Sequence, residues 1–102
     1  MSNELQRANK ILQRINELAS ISEDEGCITR TFGTEAFIDG RNKVEQWMKE
    51  AGLQTKTDNI GNIRGILLSE KANAKTFVIA SHIDTIINAG KFDGPMGVLM
   101  GL

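Results

Sequence analysis

A chain of 102 residues is long enough for one domain, or part of one, with a modest core and a small margin of stability. Its 12 basic and 13 acidic side chains give a formal net charge of −1, which leaves no positive field to hold a phosphate backbone, so nucleic acid is not an expected partner. The sequence opens without a basic-then-apolar leader, and no apolar run approaches the roughly 20 residues that cross a bilayer. We therefore expect a soluble, cytoplasmic protein that has no membrane partner, and its single cysteine, Cys27, excludes an internal disulfide.

Two amphipathic helices are predicted in the first half of the chain. The first precedes a polar loop at residues 22–26, and its apolar residues recur at steps of three and four. The second begins after Thr34, a suitable N-cap, and ends at Gly52, although Gly40 inside it costs about 1 kcal/mol of helix propensity. The two apolar stripes are Leu5, Ala8, Leu12, Ile15 and Ala19, and Phe37, Val44, Trp47, Met48 and Ala51.

After Gly52 the pattern changes from helix to strand. Residues 53–58 and 63–68 flank a turn-forming segment, which predicts an antiparallel pair of strands. Residues 76–80, TFVIA, form a continuous apolar run, as expected of a strand buried on both faces. This strand would deliver His82 to its carboxyl end, where open α/β sheets bind ligands.

The last seven residues, 96–102, carry no polar side chain, which is typical of a helix interior. Gly94 would cap this third helix and Pro95 would occupy its first position, where a missing N–H costs nothing. Gly97 and Gly101 would then give the helix a smooth face for close packing. The predicted fold class is α/β: part of a three-layer α/β/α sandwich catalytic domain, truncated.

The chemistry concentrates at His82, Asp84 and Asp93. Residues two apart in an extended segment point the same way, so Asp84 would share a face with His82 and fix its tautomer and orientation. Asp93 follows after a glycine-bearing loop, and histidine with carboxylate suits zinc, cobalt or manganese. From the residues alone a second interpretation stays open, in which His82 is a hydrogen-bonded structural residue and Asp93-Gly94 an ordinary turn.

The sequence also resembles a known enzyme family. Residues 81–85, SHIDT, and 89–99, AGKFDGPMGVL, are similar to the signature S-H-[IL]-D-[TS]-V…G-G-K-[FY]-D-G…G-V-L of the N-carbamoyl-L-amino-acid hydrolase and allantoate amidohydrolase family, within the aminoacylase-like clan of metallopeptidases. Ala89 replaces the usual first glycine and Ile86 a usual valine. Weaker similarity covers Thr29-Arg30 and residues 47–53 and 58–62, so the resemblance spans nearly the whole chain in order.

The resemblance implies a site with two divalent metal ions, zinc, manganese or cobalt. In it His82 would ligate the first ion, Asp93 would bridge both, and Asp84, the catalytic residue expected within this chain, would orient His82. The substrate would be a small ureido or amide compound, and the parent enzyme a homodimer. The family's paired glutamates and remaining ligands would follow Leu102, so residues 1–102 would be the amino-terminal part of the catalytic domain and would be inactive alone.

Two alternatives to an amidohydrolase remain at this point. One is a non-catalytic interaction module that keeps part of the fold and uses the apolar segment 96–102 as a contact surface. The other is a peptidase or deacylase of the wider clan, which would share the metal site and differ in the substrate pocket.

Overall fold

The computed structural model describes residues 2–102 and contains three helices and one two-stranded sheet in that range. The elements, in chain order, are α1 (Asn3–Ala19), α2 (Glu35–Glu50), β1 (Gln54–Thr57), β2 (Ile63–Ile66) and α3 (Pro95–Gly101). The α/β class is confirmed. None of the helices in residues 2–102 has both the length and the apolar character that crossing a membrane requires.

Local signals in the sequence fix the ends of the two long helices. The side chain of Thr34 accepts a hydrogen bond from the backbone N–H of Phe37 at 3.2 Å, which confirms it as the N-cap of α2. At the other end Gly52 takes a φ of +88° and donates to the carbonyl of Lys49, so the predicted stop is also confirmed. The predicted first helix is confirmed as α1, although Leu5 and Leu12 of its apolar stripe are exposed.

The core lies where α1, α2, α3 and the segment before α3 meet. It is small, as the chain length predicts, and its innermost side chains come from all four of these parts. Its buried members are Ile15, Leu18, Phe37, Val44, Trp47, Ile83 and Leu99.

Strands β1 and β2 pair antiparallel, with Gln54 opposite Ile66 and Thr57 opposite Ile63, as predicted. The turn between them is organised by Asp58, which the turn-forming pattern at 59–62 did not single out. Its Oδ1 accepts from the backbone N–H groups of Ile60, Gly61 and Asn62, each at 3.0 Å, and its Oδ2 accepts from the side-chain amide of Asn62 at 3.0 Å. These hydrogen bonds lower the pKa of Asp58 to about 2.

Replacing the Asp58 carboxylate should change how stability depends on pH. Because the native pKa lies below the ordinary value of 3.8, the charged form is favoured in the folded chain, and its stabilisation is present above about pH 4 and lost as the pH falls toward 2. Asp58→Asn should lower the free energy of unfolding at neutral pH and remove this part of the acid dependence. Urea unfolding between pH 2 and 6, followed by Trp47 fluorescence, measures both; an unchanged acid dependence in the variant would contradict the prediction.

The predicted interior strand at residues 76–80 is wrong. This segment has no regular secondary structure, and its side chains are exposed, 88% for Phe77 and 75% for Val78. A strand requires a hydrogen-bonded neighbour, and within residues 2–102 no backbone hydrogen bond joins 76–80 to another segment. The apolar run is present, but the neighbouring strand and covering layers that would bury it are not among these residues.

Helix α3 begins as predicted, with Gly94 as N-cap and Pro95 in the first turn. The segment before it crosses the face formed by its glycines. A Cβ at Gly97 would lie 2.6 Å from the Ser81 Oγ, and a Cβ at Gly101 would lie 2.7 Å from the Ile79 Cγ2. The expectation of a smooth, closely packed face is confirmed.

Candidate metal centre

His82 and Asp84 lie on the same side of an extended segment whose middle residue faces the core. Ile83 is buried among the core side chains, whereas the side chains of His82 and Asp84 are each about half exposed. The His82 Nδ1 lies 3.5 Å from the Asp84 Oδ1. The two-residue alternation predicted from the sequence is therefore present, even though the preceding strand is not.

Asp93 approaches the opposite nitrogen of the same imidazole. Its Oδ1 lies 3.6 Å from the His82 Nε2, and its side chain is 74% exposed. Two features hold this approach: the Ser81 hydroxyl donates to the Gly94 carbonyl at 2.8 Å, and Gly94 has no Cβ where one would lie 2.7 Å from the His82 Nδ1. The structure thus brings the two predicted ligands together at the start of α3.

The backbone of Asp84 favours one of the two neutral tautomers of His82. The closest partner of Nδ1 is the Asp84 carbonyl oxygen, at 3.0 Å. A carbonyl can only accept, so this contact is a hydrogen bond when Nδ1 carries the proton, and in that neutral tautomer the lone pair lies on Nε2. Sequence reasoning assigned this orienting role to the Asp84 carboxylate, but the carbonyl makes the shorter contact.

The donor chemistry at this point fits a divalent cation. A neutral imidazole nitrogen and a carboxylate oxygen are ordinary zinc, cobalt or manganese ligands, and two donors about 2 Å from one ion lie no more than about 4 Å apart. The 3.6 Å between Nε2 and Oδ1 meets that condition. Within residues 2–102 no cluster of three or more histidine, cysteine, aspartate or glutamate side chains could hold an ion, so the roles of His82 and Asp93 as ligands stay predictions.

The segment after His82 is tied to an earlier part of the chain that the sequence patterns did not connect with it. Thr85 donates its N–H to the Arg30 carbonyl at 2.9 Å, and the Arg30 N–H donates to the Thr85 Oγ1 at 2.7 Å. The backbone N–H of Asn88 donates to the Thr29 Oγ1 at 3.0 Å. Both Thr29 and Arg30 are buried. Only the family resemblance marked these two residues, because hydropathy patterns carry no signal for a buried polar pair.

Arg30 is 1% exposed, and its guanidinium donates to three backbone carbonyls. Burial lowers the pKa of Arg30 below its ordinary value, and the charge of Asp84 partly opposes this shift. Gly40 in α2 makes room for the side chain, since a Cβ there would lie 2.9 Å from the Arg30 Cδ. The glycine that looked like a defect in α2 is therefore required by packing.

Comparison with known proteins supports the family resemblance. No protein-family model matches the chain. Allantoate deiminase 2 of Glycine max is 36% identical over 92% of the chain, and allantoate amidohydrolase of Bacillus subtilis (strain 168) is 37% identical over 92%. N-carbamoyl-L-amino acid amidohydrolase of Geobacillus stearothermophilus is 33% identical over 94% of the chain.

The chain covers 20%, 23% and 24% of these three relatives, respectively. It thus spans about a fifth to a quarter of their length. The similarity extends over nearly all of the chain, and the names of these relatives are those of the family that residues 81–85 and 89–99 resemble. The family resemblance is therefore confirmed.

Proposed function

We propose, from the similarity of this chain to allantoate and N-carbamoyl-amino-acid amidohydrolases, that the protein containing it is a metal-dependent amidohydrolase. Its substrate would be a small molecule with a linear amide or ureido C–N bond, of the allantoate or N-carbamoyl amino acid type. The observation that carries the proposal is the exposed pair of donors, His82 Nε2 and Asp93 Oδ1, 3.6 Å apart at the start of α3.

In this proposal residues 1–102 form the amino-terminal part of the catalytic domain, a three-layer α/β/α sandwich completed by further chain. His82 and Asp93 would hold divalent metal, with two zinc, manganese or cobalt ions in the complete site. When bound, such ions lower the pKa of water and polarise a carbonyl oxygen. Asp84 would orient His82, keeping Nε2 free of its proton. A homodimer in the cytoplasm is the assembly and location we propose.

The two alternatives have less support. The curated relatives described above bear the names of deiminases and amidohydrolases rather than peptidases. An interaction module needs neither a carbonyl acceptor beside the His82 Nδ1 nor a carboxylate beside its Nε2, whereas both suit a metal-ligating histidine.

The test is to express the complete gene product and measure ammonia release from allantoate and amino-acid release from N-carbamoyl amino acids. Asp93→Asn should lower the rate and the bound metal by at least about 10²-fold, since even groups outside the ligand shell cost up to that much. Asp39→Asn, the same change at an exposed carboxylate of α2, is the matched control and should leave both unchanged. A complete product without turnover, or equal loss in the two variants, would contradict the proposal.

A further inference from the structure

The guanidinium of Arg30 is buried, and no carboxylate among the described residues contacts it directly. Within residues 2–102 no carboxylate comes within 4.0 Å of it, and its neighbours are the carbonyl oxygens of Leu18, Ile21 and Ile83, at 2.8, 2.8 and 2.9 Å. Burying a charge destabilises the fold unless hydrogen bonds compensate it. An apolar side chain of similar volume often stabilises a core equally well or better. Core packing alone therefore does not account for an arginine at this position.

The three carbonyls belong to two different parts of the fold. Leu18 and Ile21 lie at and just beyond the carboxyl end of α1, where helix carbonyls lack partners within the helix. Ile83 lies between His82 and Asp84 in the candidate metal centre. Arg30 thus joins the end of a 17-residue helix to the backbone beside the candidate ligand.

These contacts fix both peptide units that flank Asp84. The unit between Ile83 and Asp84 is held through its carbonyl by the Arg30 Nε, and the unit between Asp84 and Thr85 is held through its N–H by the Arg30 carbonyl. Because a peptide unit is planar and trans, fixing the direction of its N–H also fixes the direction of its C=O. The second of these units carries the carbonyl that accepts from the His82 Nδ1.

We propose that Arg30 is a positioning residue for His82. It holds the Asp84 carbonyl where it keeps the proton on Nδ1 and leaves Nε2 free for a ligand. This inference deepens the proposed function, on which its relevance to metal rests, but the hydrogen-bond relay can be tested without any activity.

The test uses the fact that His82 is the single histidine of the chain, so its imidazole ¹⁵N signals need no assignment. At about pH 8.5, above the range in which histidine ordinarily titrates, these signals report the ratio of the two neutral tautomers. Wild-type chain should show predominantly the Nδ1–H form. In Arg30→Met, which keeps an unbranched side chain and removes the donors, the ratio should fall about fivefold, the worth of one ordinary hydrogen bond.

Val44→Ala is the matched control, because Val44 is equally buried and makes none of these hydrogen bonds. It should lower stability and leave the tautomer ratio unchanged. If Arg30→Met does not fold, Thr85→Val replaces it, since this change removes the hydroxyl that accepts from the Arg30 N–H. A folded Arg30→Met or Thr85→Val chain with the wild-type ratio, or an equal change in Val44→Ala, would overturn the proposal.

A zinc titration of the same signals separates this inference from the proposed function. The zinc concentration that half-shifts the His82 signals should rise about tenfold or more in Arg30→Met, as for other groups that orient a ligand. If zinc shifts no His82 signal in the wild-type chain, even at concentrations high enough to detect weak two-ligand binding, while the tautomer ratio still responds to Arg30→Met, the positioning role stands and the metal assignment fails. If zinc shifts the wild-type signals while the tautomer ratio ignores Arg30→Met, the metal assignment stands and the positioning role fails.

Discussion

Expressed alone, the 102-residue chain is expected to hydrolyse neither allantoate nor N-carbamoyl amino acids, with manganese, cobalt or zinc supplied. Firm binding of a tetrahedral or five-coordinate ion needs at least three protein groups, and the two predicted ligands, His82 and Asp93, would supply only two. Catalysis further needs a base placed against the attacking water and donors aimed at the developing oxyanion. Losing one such donor costs about 10²–10³ in rate.

The assay should measure ammonia and amino-acid release beside the Bacillus subtilis allantoate amidohydrolase as positive control. Only a monodisperse fraction is suitable, because the exposed side chains of Phe77, Val78 and Ile79 favour self-association. Turnover within about tenfold of the control, a difference of only about 1.4 kcal/mol in barrier, would show that these residues suffice for catalysis and would overturn the expectation.

The parts of the fold that were predicted correctly depend on local interactions. The Thr34 cap, the Gly52 stop and the Gly94-Pro95 start each involve residues within a few positions of one another. The hairpin likewise follows from a short turn between two strand-forming segments. Such features are visible in the sequence because the groups that stabilise them are neighbours in it.

The features that were predicted wrongly or missed depend on distant parts of the chain. A strand at 76–80 requires a partner that the other described residues do not supply, however suitable its own side chains are. Leu5 and Leu12, on the apolar stripe of α1, are exposed as well. Arg30 is the opposite case. A charged side chain is expected at the surface, but this one is buried, and three backbone carbonyls accept hydrogen bonds from it.

The candidate site likewise combines features that the sequence predicts with features that depend on distant residues. The shared face of His82 and Asp84 follows from the two-residue period of extended backbone. The approach of Asp93 to the His82 Nε2 was expected from the family resemblance rather than from any periodicity. The acceptor for Nδ1 is a backbone carbonyl, which no side-chain pattern could indicate.

Gly94→Ala is expected to disrupt the site and to lower the free energy of unfolding by about 3 kcal/mol. Gly94 has a φ of +97° and a ψ of −62°, a conformation that is strained for any residue with a Cβ. The added Cβ would also collide with the backbone oxygen of His82 and lie 2.7 Å from its ring. A small domain has a stability of only about 5–15 kcal/mol, so the loss is a large fraction of the total.

Gly52→Ala provides the control that separates strain from collision. Gly52 also has a positive φ, +88°, but nothing lies within 4 Å of the position its Cβ would take. It should cost about 1 kcal/mol, from backbone strain alone, and leave the imidazole ¹⁵N signals of His82 at their wild-type positions. Urea unfolding followed by Trp47 fluorescence gives the stabilities, and the ¹⁵N signals give the ring environment. Because the collision involves the ring itself, Gly94→Ala must move these signals as well as destabilise the chain; equal behaviour of the two variants would mean that Gly94 serves only the turn and does not make room for His82.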